Sequence, residues 1–370
     1  MKKRVLLVFL VWMLLGSTVA GEELLTVDDL NLKKSSEVLR NNGLKEIDSK
    51  EIMTHLLEGD VGEVLNELIN LIQKKTIGDY SYVKKLILNL FIMLIVSAFF
   101  TNFLHVFKNN SVSDTAFYIC YISVVSVLVT LFDFVSGMAG DFLRVSVAYI
   151  SAVIPVYFVT VSVTGQASAL GFYQIILVVI GMIQFMFLHV FLPLIKIYLA
   201  IGLINNLSKE DLLSKMCDLL KKIIVKGNRL LIGLVTGMNL LQGMILPALD
   251  ESKNTLAYKI MNSIPGVGSG IDSYTGIVFG SVRLIKNTMG GTIMIVIVLI
   301  CGIPFVKMKL YQFSIQLLAA SMQPVADYRM ISGIQIAGDS IEMMASMIAG
   351  VSILFLVSIV IICMSTNMIR

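Results

Sequence analysis

The chain has 370 residues, of which 56% are apolar and only 15% charged, and its mean hydropathy is +0.86. Soluble globular domains carry about 25% charged residues, so this composition excludes an ordinary soluble globular protein. It predicts an all-α, polytopic helical membrane protein surrounded by the lipid bilayer. The net charge of +4 is spread among apolar stretches rather than clustered on one face, which argues against nucleic-acid binding.

The first twenty residues, 1–20, have the pattern of a secretory signal peptide. Basic residues at positions 2–4 precede an apolar core over residues 5–15, and Thr18 and Ala20 supply small side chains before a cleavage point after residue 20. The core is shorter than the roughly 20 residues that a membrane-spanning helix needs. We therefore expect export and cleavage, with an uncleaved anchor as the alternative.

Residues 21–84 form a polar, acidic region that we expect to be helical and to lie outside the cytoplasm. Positions 21–83 contain 13 acidic against 7 basic residues, and Val64, Leu68 and Ile72 are among the apolar residues that recur at helical spacing. A segment this small buries too little apolar surface to be stable alone. Two interpretations stay open: an assembly surface that packs on a partner or the membrane, and a solvated spacer.

Long apolar runs follow, divided into a first transmembrane group at 85–205 and a second at 230–370. The predicted spans cover residues 86–104, 116–138, 145–163, 172–192, 230–249, 291–306 and 343–364, with a weaker candidate at 310–322. Because lipid offers backbone groups no hydrogen-bond partners, each span is predicted to be a helix. The long run 172–204 is expected to break near Pro193, as a double crossing or a re-entrant element. A double crossing brings the basic segment 205–229 into the cytoplasm, as the positive-inside rule requires.

Residues 206–229 are predicted to form a basic amphipathic helix at the membrane interface. Leucine, isoleucine and methionine side chains between positions 212 and 224 share one face, and lysines occupy the rest of the surface. Such a helix lies in the plane of an anionic membrane surface. A binding site for a cytoplasmic partner is the alternative.

Polar and small residues inside the apolar runs are the candidate functional residues. Asp133 interrupts the second span, where an acidic residue indicates either a pore or ion path or a position near the membrane face. Amides and closely spaced glycines suit hydrogen bonding and close packing between helices. The residues predicted for a pore or for helix packing are Asp133, Asn239, Gln242, Gly233, Gly237, Gly266, Gly268, Gly276 and Gly280, the last four lying in a glycine-rich segment, 264–280, with the character of a hinge or re-entrant turn.

No residues are predicted for catalysis, for a cofactor or for a metal ion. The chain has no recognisable nucleophile–base pair and no phosphate-binding loop with lysine, and its three histidines are too far apart in sequence to suggest a metal site. The four cysteines include no CxxC pair and suit small apolar packing positions.

Several short motifs in the C-terminal half resemble the stage III sporulation protein AE family. They are Leu241-Gln242-Gly243, Leu246-Pro247-Ala248-Leu249-Asp250, Ser263-Ile264-Pro265-Gly266-Val267-Gly268, Gly280-Ser281 with Leu284-Ile285-Lys286-Asn287, Leu299-Ile300-Cys301 with Pro304, and Gln323-Pro324-Val325-Ala326-Asp327 with Arg329. The overall plan is also similar: a signal peptide, a polar region, and then spans to the C-terminus. The resemblance covers most of the chain and is most specific over residues 240–330.

The resemblance implies a function that the residues alone do not indicate. Members of that family belong to a mother-cell complex of endospore-forming bacteria, a secretion-like channel or feeding tube that sustains forespore development. This chain would be a non-enzymatic, multi-pass component in the outer forespore membrane, in contact with other stage III sporulation membrane proteins. A homo-oligomer with further copies of itself is a second expected contact. The alternative is a stand-alone secondary transporter for a small solute.

Overall fold

The computed structural model describes residues 32–106, 110–163, 169–208, 210–261 and 268–365. The predicted signal peptide and Gly266 lie outside these ranges. All regular secondary structure within them is helical, which confirms the all-α prediction. The helices are α1 (Lys33–Asn41), α2 (Ser49–Glu58), α3 (Val61–Val106), α4 (Asn110–Val163), α5 (Ala169–Met186), α6 (Leu192–Leu207), α7 (Ser214–Met261), α8 (Gly268–Met322) and α9 (Tyr328–Ser365), with a π-helical turn, Phe187–Phe191, between α5 and α6.

Five helical stretches in the described ranges are long and apolar enough to cross a membrane. They are Gly62–Phe100, Asp114–Phe158, Leu177–Leu207, Leu284–Met322 and Tyr328–Ile361. Each exceeds the roughly 20 residues that a bilayer requires. The prediction of a polytopic helical membrane protein is therefore confirmed.

Several helices are longer than the predicted spans, because adjacent spans join. The spans 116–138 and 145–163 are both parts of α4. Residues 139–144 between them contain no proline, and Arg144 Nη2 donates to Asp141 Oδ1 across 2.6 Å within one helical turn. The spans 291–306 and 310–322 likewise join in α8. At 1.5 Å per residue, the 54 residues of α4 extend about 80 Å, far beyond a hydrocarbon core of about 30 Å.

The chain does not reverse at Pro193, where the sequence predicted a break. Helix α5 passes through the π-helical turn Phe187–Phe191 directly into α6, and Pro193 occupies the first turn of α6. Proline lacks an N–H and its ring crowds the carbonyl four residues earlier, so the helix widens locally there instead of reversing. Residues 177–207 are consequently one candidate span, and the predicted second crossing is absent.

Helix α9 is the central element of the bundle and contacts α4, α6, α7 and α8. It forms an antiparallel hairpin with α8, whose turn lies between Met322 and Tyr328. Helix α7 runs parallel to α9, because three successive contacts keep the same offset of 118 positions along both chains. These contacts join Lys221 to Asp339, Asn228 to Ser346, and Ile232 to Gly350.

The N-terminal helices pack on the bundle itself. Helix α2 begins at Asp48, whose carboxylate accepts from the Lys50 N–H at 2.9 Å, and ends at Gly59, which adopts a left-handed φ of 86° that favours glycine. The Ser49 hydroxyl lies 3.4 Å from the Tyr149 hydroxyl of α4. This part of the predicted 21–84 region is therefore attached to α4 and to α8, which it also contacts.

Candidate functional site

Three ion pairs join five helices at a similar height in the bundle, and we call them the ion-pair belt. Lys196 Nζ lies 3.6 Å from Asp133 Oδ1, which joins α6 to α4. The second and third pairs both reach α9. They join Lys221 Nζ of α7 to Asp339 Oδ2 at 2.5 Å, and Lys309 Nζ of α8 to Glu342 Oε1 at 3.8 Å.

Further contacts establish that the three pairs share one height. The Tyr198 hydroxyl donates to Asp339 Oδ2 at 3.4 Å, and Tyr198 is only two residues from Lys196. Glu342 is three residues beyond Asp339 on the same helix. At 1.5 Å per residue these offsets amount to less than about 5 Å along the helix axes. The belt therefore crosses the bundle as one layer.

The belt residues are substantially exposed: the Asp133 and Lys196 side chains are 63% and 53% accessible. An exposed pair in water contributes roughly 0–1 kcal/mol, whereas a charge facing mid-bilayer hydrocarbon costs about 2.5–3.5 kcal/mol. Outward-facing charges of this kind therefore suit a polar boundary better than the bilayer centre. Sequence reasoning found Asp133 but missed Lys196, its partner 63 positions later, because only the fold brings the two together.

A polar cavity of about 380 Å³ lies at the end of the bundle nearest the α8–α9 turn. It is lined by residues from the end of α6, the start of α7 and the start of α9, among them Asn205, Asn206, Asp218 and Arg329. Two buried donor atoms there, Asn206 Nδ2 and Arg329 Nη1, have no hydrogen-bond partner among the described residues. The cavity thus contains two nitrogen donors without a hydrogen-bond partner among the described residues, and it has carboxylates at its margin.

Arg329 connects the α8–α9 turn to α4. Its Nε and Nη2 donate to the two carboxylate oxygens of Asp327 at 3.3 and 3.2 Å. Its guanidinium carbon lies 3.4 Å from the centroid of the Phe117 ring, a cation–π contact. The side chain is only 8% accessible. This cluster belongs to one of the motifs that carry the family resemblance, but sequence alone did not indicate its geometry.

The loop between α6 and α7 is closed by side-chain hydrogen bonds. Asn205 Nδ2 donates to Asp211 Oδ1 at 2.8 Å, and Asn205 Oδ1 accepts from the Leu213 N–H at 2.7 Å. The hydrogen bond from Asn205, followed by those from Ser214, lowers the pKa of Asp211. Burial raises the pKa of the Cys217 thiol, so Cys217 is a neutral packing residue at physiological pH.

The remaining predicted site residues are not brought together into one site by the described coordinates. Gly233 and Gly237 lie on α7 with open space where a Cβ would stand. Asn239 and Gln242 also lie on α7, but their side chains fall outside the described set. Gly268, Gly276 and Gly280 belong to the first turns of α8, so from residue 268 onward the predicted glycine-rich hinge is helical.

One group of possible metal ligands occurs at the α2–α3 turn. Ligand atoms of His55, Asp60 and Glu63 lie within 4.8 Å of one another. Both carboxylates are exposed, and exposed acidic groups commonly approach each other without an ion. This proximity alone assigns no metal site.

Apolar side chains face outward over a great length of the bundle. Helices α4 and α5–α6 run antiparallel, since Tyr121 contacts Leu203 and Gly140 approaches Leu188. The exposed Ile119 of α4 lies level with the end of α6, about 20–27 helical positions from the exposed side chains in the second half of α5, which are Val178, Met182 and Phe185. The largest separation, from Ile119 to Val178, is about 40 Å along the axis, more than a hydrocarbon core of about 30 Å.

The fold and this outward surface define an integral membrane protein with several spans and apolar faces that extend beyond the thickness of one bilayer core. The sequence model of stage III sporulation protein AE (spore_III_AE) matches residues 47–366. The chain belongs to the stage III sporulation protein AE family, as the motifs predicted.

A curated relative supports the same assignment. Stage III sporulation protein AE of Bacillus subtilis (strain 168) is 22% identical over 264 residues, which are 71% of this chain and 66% of that protein. The match thus spans just under two thirds of the relative's own length. No solved structure matches the chain.

Proposed function

We propose that this chain is a non-enzymatic, multi-pass component of a sporulation channel complex in the mother-cell-derived outer forespore membrane, where it supports forespore development. The proposal is supported by the family assignment and by the five candidate spans. One observation carries the assembly role: outward apolar side chains extend over about 40 Å, more than the roughly 30 Å of a hydrocarbon core.

The excess apolar surface needs a cover of protein, because a monomer rarely exposes a large contiguous apolar patch to water. Other stage III sporulation membrane proteins, or further copies of this chain, would supply that cover. Within this proposal Asp133 aligns α4 with α6 through Lys196 instead of lining a pore. Gly233, Gly237, Asn239 and Gln242 would serve helix packing.

Deletion of the gene in its spore-forming host tests the role. We expect forespore development to stop after engulfment and to be restored by the full chain expressed in the mother cell. The same strain, carrying a tagged chain, allows purification in mild detergent after cross-linking. Other stage III sporulation proteins should copurify with it.

The alternative, a stand-alone secondary transporter, predicts a different result. The purified chain alone, reconstituted in liposomes, would then accumulate a small solute when an ion gradient is imposed. Gradient-driven uptake together with normal spores in the deletion strain would overturn the proposed function. Replacement of Asp133 by Asn and by Leu adds a finer test, because an alignment role predicts altered stability without an altered solute specificity.

A further inference from the structure

Helix α7 has two apolar faces, although only one of them packs in the bundle. The inward face contains Cys217, Ile224, Leu231 and Val235, all buried against neighbouring helices. A second face, about 100° around the helix from the first, carries side chains that are 47–67% exposed, and we call it the outer seam. Its members are Met216, Leu219, Ile223, Leu230 and Leu234.

The outer seam has the spacing of a helix-pairing surface. Met216, Ile223 and Leu230 follow one another at seven-residue intervals; Leu219 lies between the first two, and the exposed Lys226 takes the equivalent position between the last two. Such a repeat of three and four residues is the pattern that lets one helix pack along another. Gly233 continues the seam, and a Cβ built there meets no atom within 4 Å. The seam is therefore open to a neighbour at Gly233.

One edge of the seam is basic. Lys215, Lys222 and Arg229 are also spaced at seven residues, and all three are exposed. None of them is paired with another described residue. Asp218 is the only acidic residue between positions 214 and 241, and it lies beyond the basic edge on the helix surface. The edge therefore presents three basic side chains to one acidic neighbour, a net positive charge beside the apolar seam.

A lipid surface does not match this arrangement. Because α7 keeps a constant register with α9, which contains a candidate span, it stands alongside that span instead of lying flat on a membrane. The basic edge extends 14 residues, or about 21 Å, whereas the headgroup layer on each side of a bilayer is only about 5–8 Å thick. An upright helix cannot bring all three cations to the headgroups of one leaflet.

A second copy of the same seam does not match either. Antiparallel pairing of two seams brings one basic edge against the other, and like charges repel. Parallel pairing brings the basic edge against the opposite edge, where Leu220 and Gly227 offer no negative charge. The charge pattern thus selects against self-pairing.

We propose that the outer seam of α7 is a docking site for an acidic amphipathic helix of another membrane protein. That helix carries aliphatic residues in a heptad repeat and Asp or Glu at seven-residue intervals that face Lys215, Lys222 and Arg229. The inference deepens the assembly role proposed above and rests on it. It names the surface that receives a partner and the chemistry of that partner.

Peptide binding to the full chain in nanodiscs of phosphatidylcholine tests the proposal. The probes are two synthetic 28-residue helices with leucine heptads, one with glutamates and one with lysines at the flanking positions. We expect the glutamate peptide to bind at least about tenfold more tightly than the lysine peptide, because it forms three charge pairs with the basic edge. The triple variant K215E/K222E/R229E should reverse this preference. A matched variant, K33E/K34E/K45E, reverses three exposed lysines far from α7 and should leave it unchanged.

Three results would overturn the docking site. The first is equal binding, or no binding, of the two peptides. The second is loss of glutamate-peptide binding when phosphatidylglycerol is included, which would make the seam a lipid site. The third is a disulfide between two copies through Leu219→Cys in a chain whose native cysteines are replaced. If any of these occurs while the wild-type chain still copurifies with sporulation proteins, the docking site is refuted and the proposed function is retained. Absence of copurification would count against the proposed function itself.

Discussion

The contact of α6 with α9 depends on a glycine, and its replacement has a calculable effect. A Cβ built on Gly202 would lie 2.7 Å from Ile336 Cγ2 and 2.8 Å from Ile336 Cδ1. Isoleucine is stiff at χ1, so the methyl group at Cγ2 cannot rotate away and the helices must separate. Overpacking of this kind costs about 1–3 kcal/mol, although Gly→Ala in a helix also gains about 1 kcal/mol from propensity.

A matched variant removes the propensity effect from the comparison. Gly181 lies in α5 with nothing within 4 Å of its Cβ position, so Gly181→Ala gains the propensity without the clash. We expect Gly202→Ala to be less stable than Gly181→Ala by about 1–3 kcal/mol, a difference of a few degrees in Tm measured by thermal size-exclusion in detergent. Adding Ile336→Ala to Gly202→Ala should recover part of the loss. Equal melting of the two alanine variants would refute the close approach of α6 to α9.

Three further predictions follow from the charged groups. A double-mutant cycle with Asp133→Asn and Lys196→Gln should give a coupling below about 1 kcal/mol, as for an exposed pair; a value above about 2.5 kcal/mol would put the pair in hydrocarbon. Arg329→Met should destabilise the chain by about 2–4 kcal/mol in thermal melts, because it removes a nearly buried paired cation. Arg329→Lys should retain part of the stability, and an unchanged melting temperature of Arg329→Met would contradict the pairing. The Lys74 ammonium donates a hydrogen bond to Glu46, which lowers the pKa of the Glu46 carboxyl. The stability that this pair contributes is therefore complete above the unfolded pKa of about 4.3, and it is lost as the pH falls through the lower pKa of the folded state. Carboxyl NMR titration should find a midpoint below about 4.3 that Lys74→Met raises, and a midpoint at or above 4.3 would disprove the pairing.

Much of the helix content could be predicted because hydropathy and helical period are local properties. The run 343–364, for example, lies entirely in α9. The joining of spans could not be predicted in the same way. The predicted spans 116–138 and 145–163 leave a gap that contains Asp141 and Arg144, but without proline or a turn signal the backbone continues through it. Pro193, conversely, suggested a reversal, and a π-helical turn accommodates it.

The candidate site was predicted only in part. Asp133 was recognisable as a charge inside an apolar run, but its pairing with Lys196 connects positions far apart in sequence. The cluster of Arg329, Asp327 and Phe117 was visible only as part of a family motif. Pairwise electrostatics depends on distances between helices, and no periodicity along a single helix contains that information.

By itself the sequence determined the class of this protein: a chain with so little charge and such long apolar runs must form helices in a membrane, because lipid satisfies no backbone hydrogen bonds. The tertiary structure alone decided which apolar face of each helix is inside. Helix α7 has a buried apolar face and, beside it, the exposed apolar outer seam, and lipid tails and a protein core are equally apolar. Hydrophobicity therefore cannot distinguish a face that packs in the bundle from one that meets lipid or a partner, and only the positions of the neighbouring helices can.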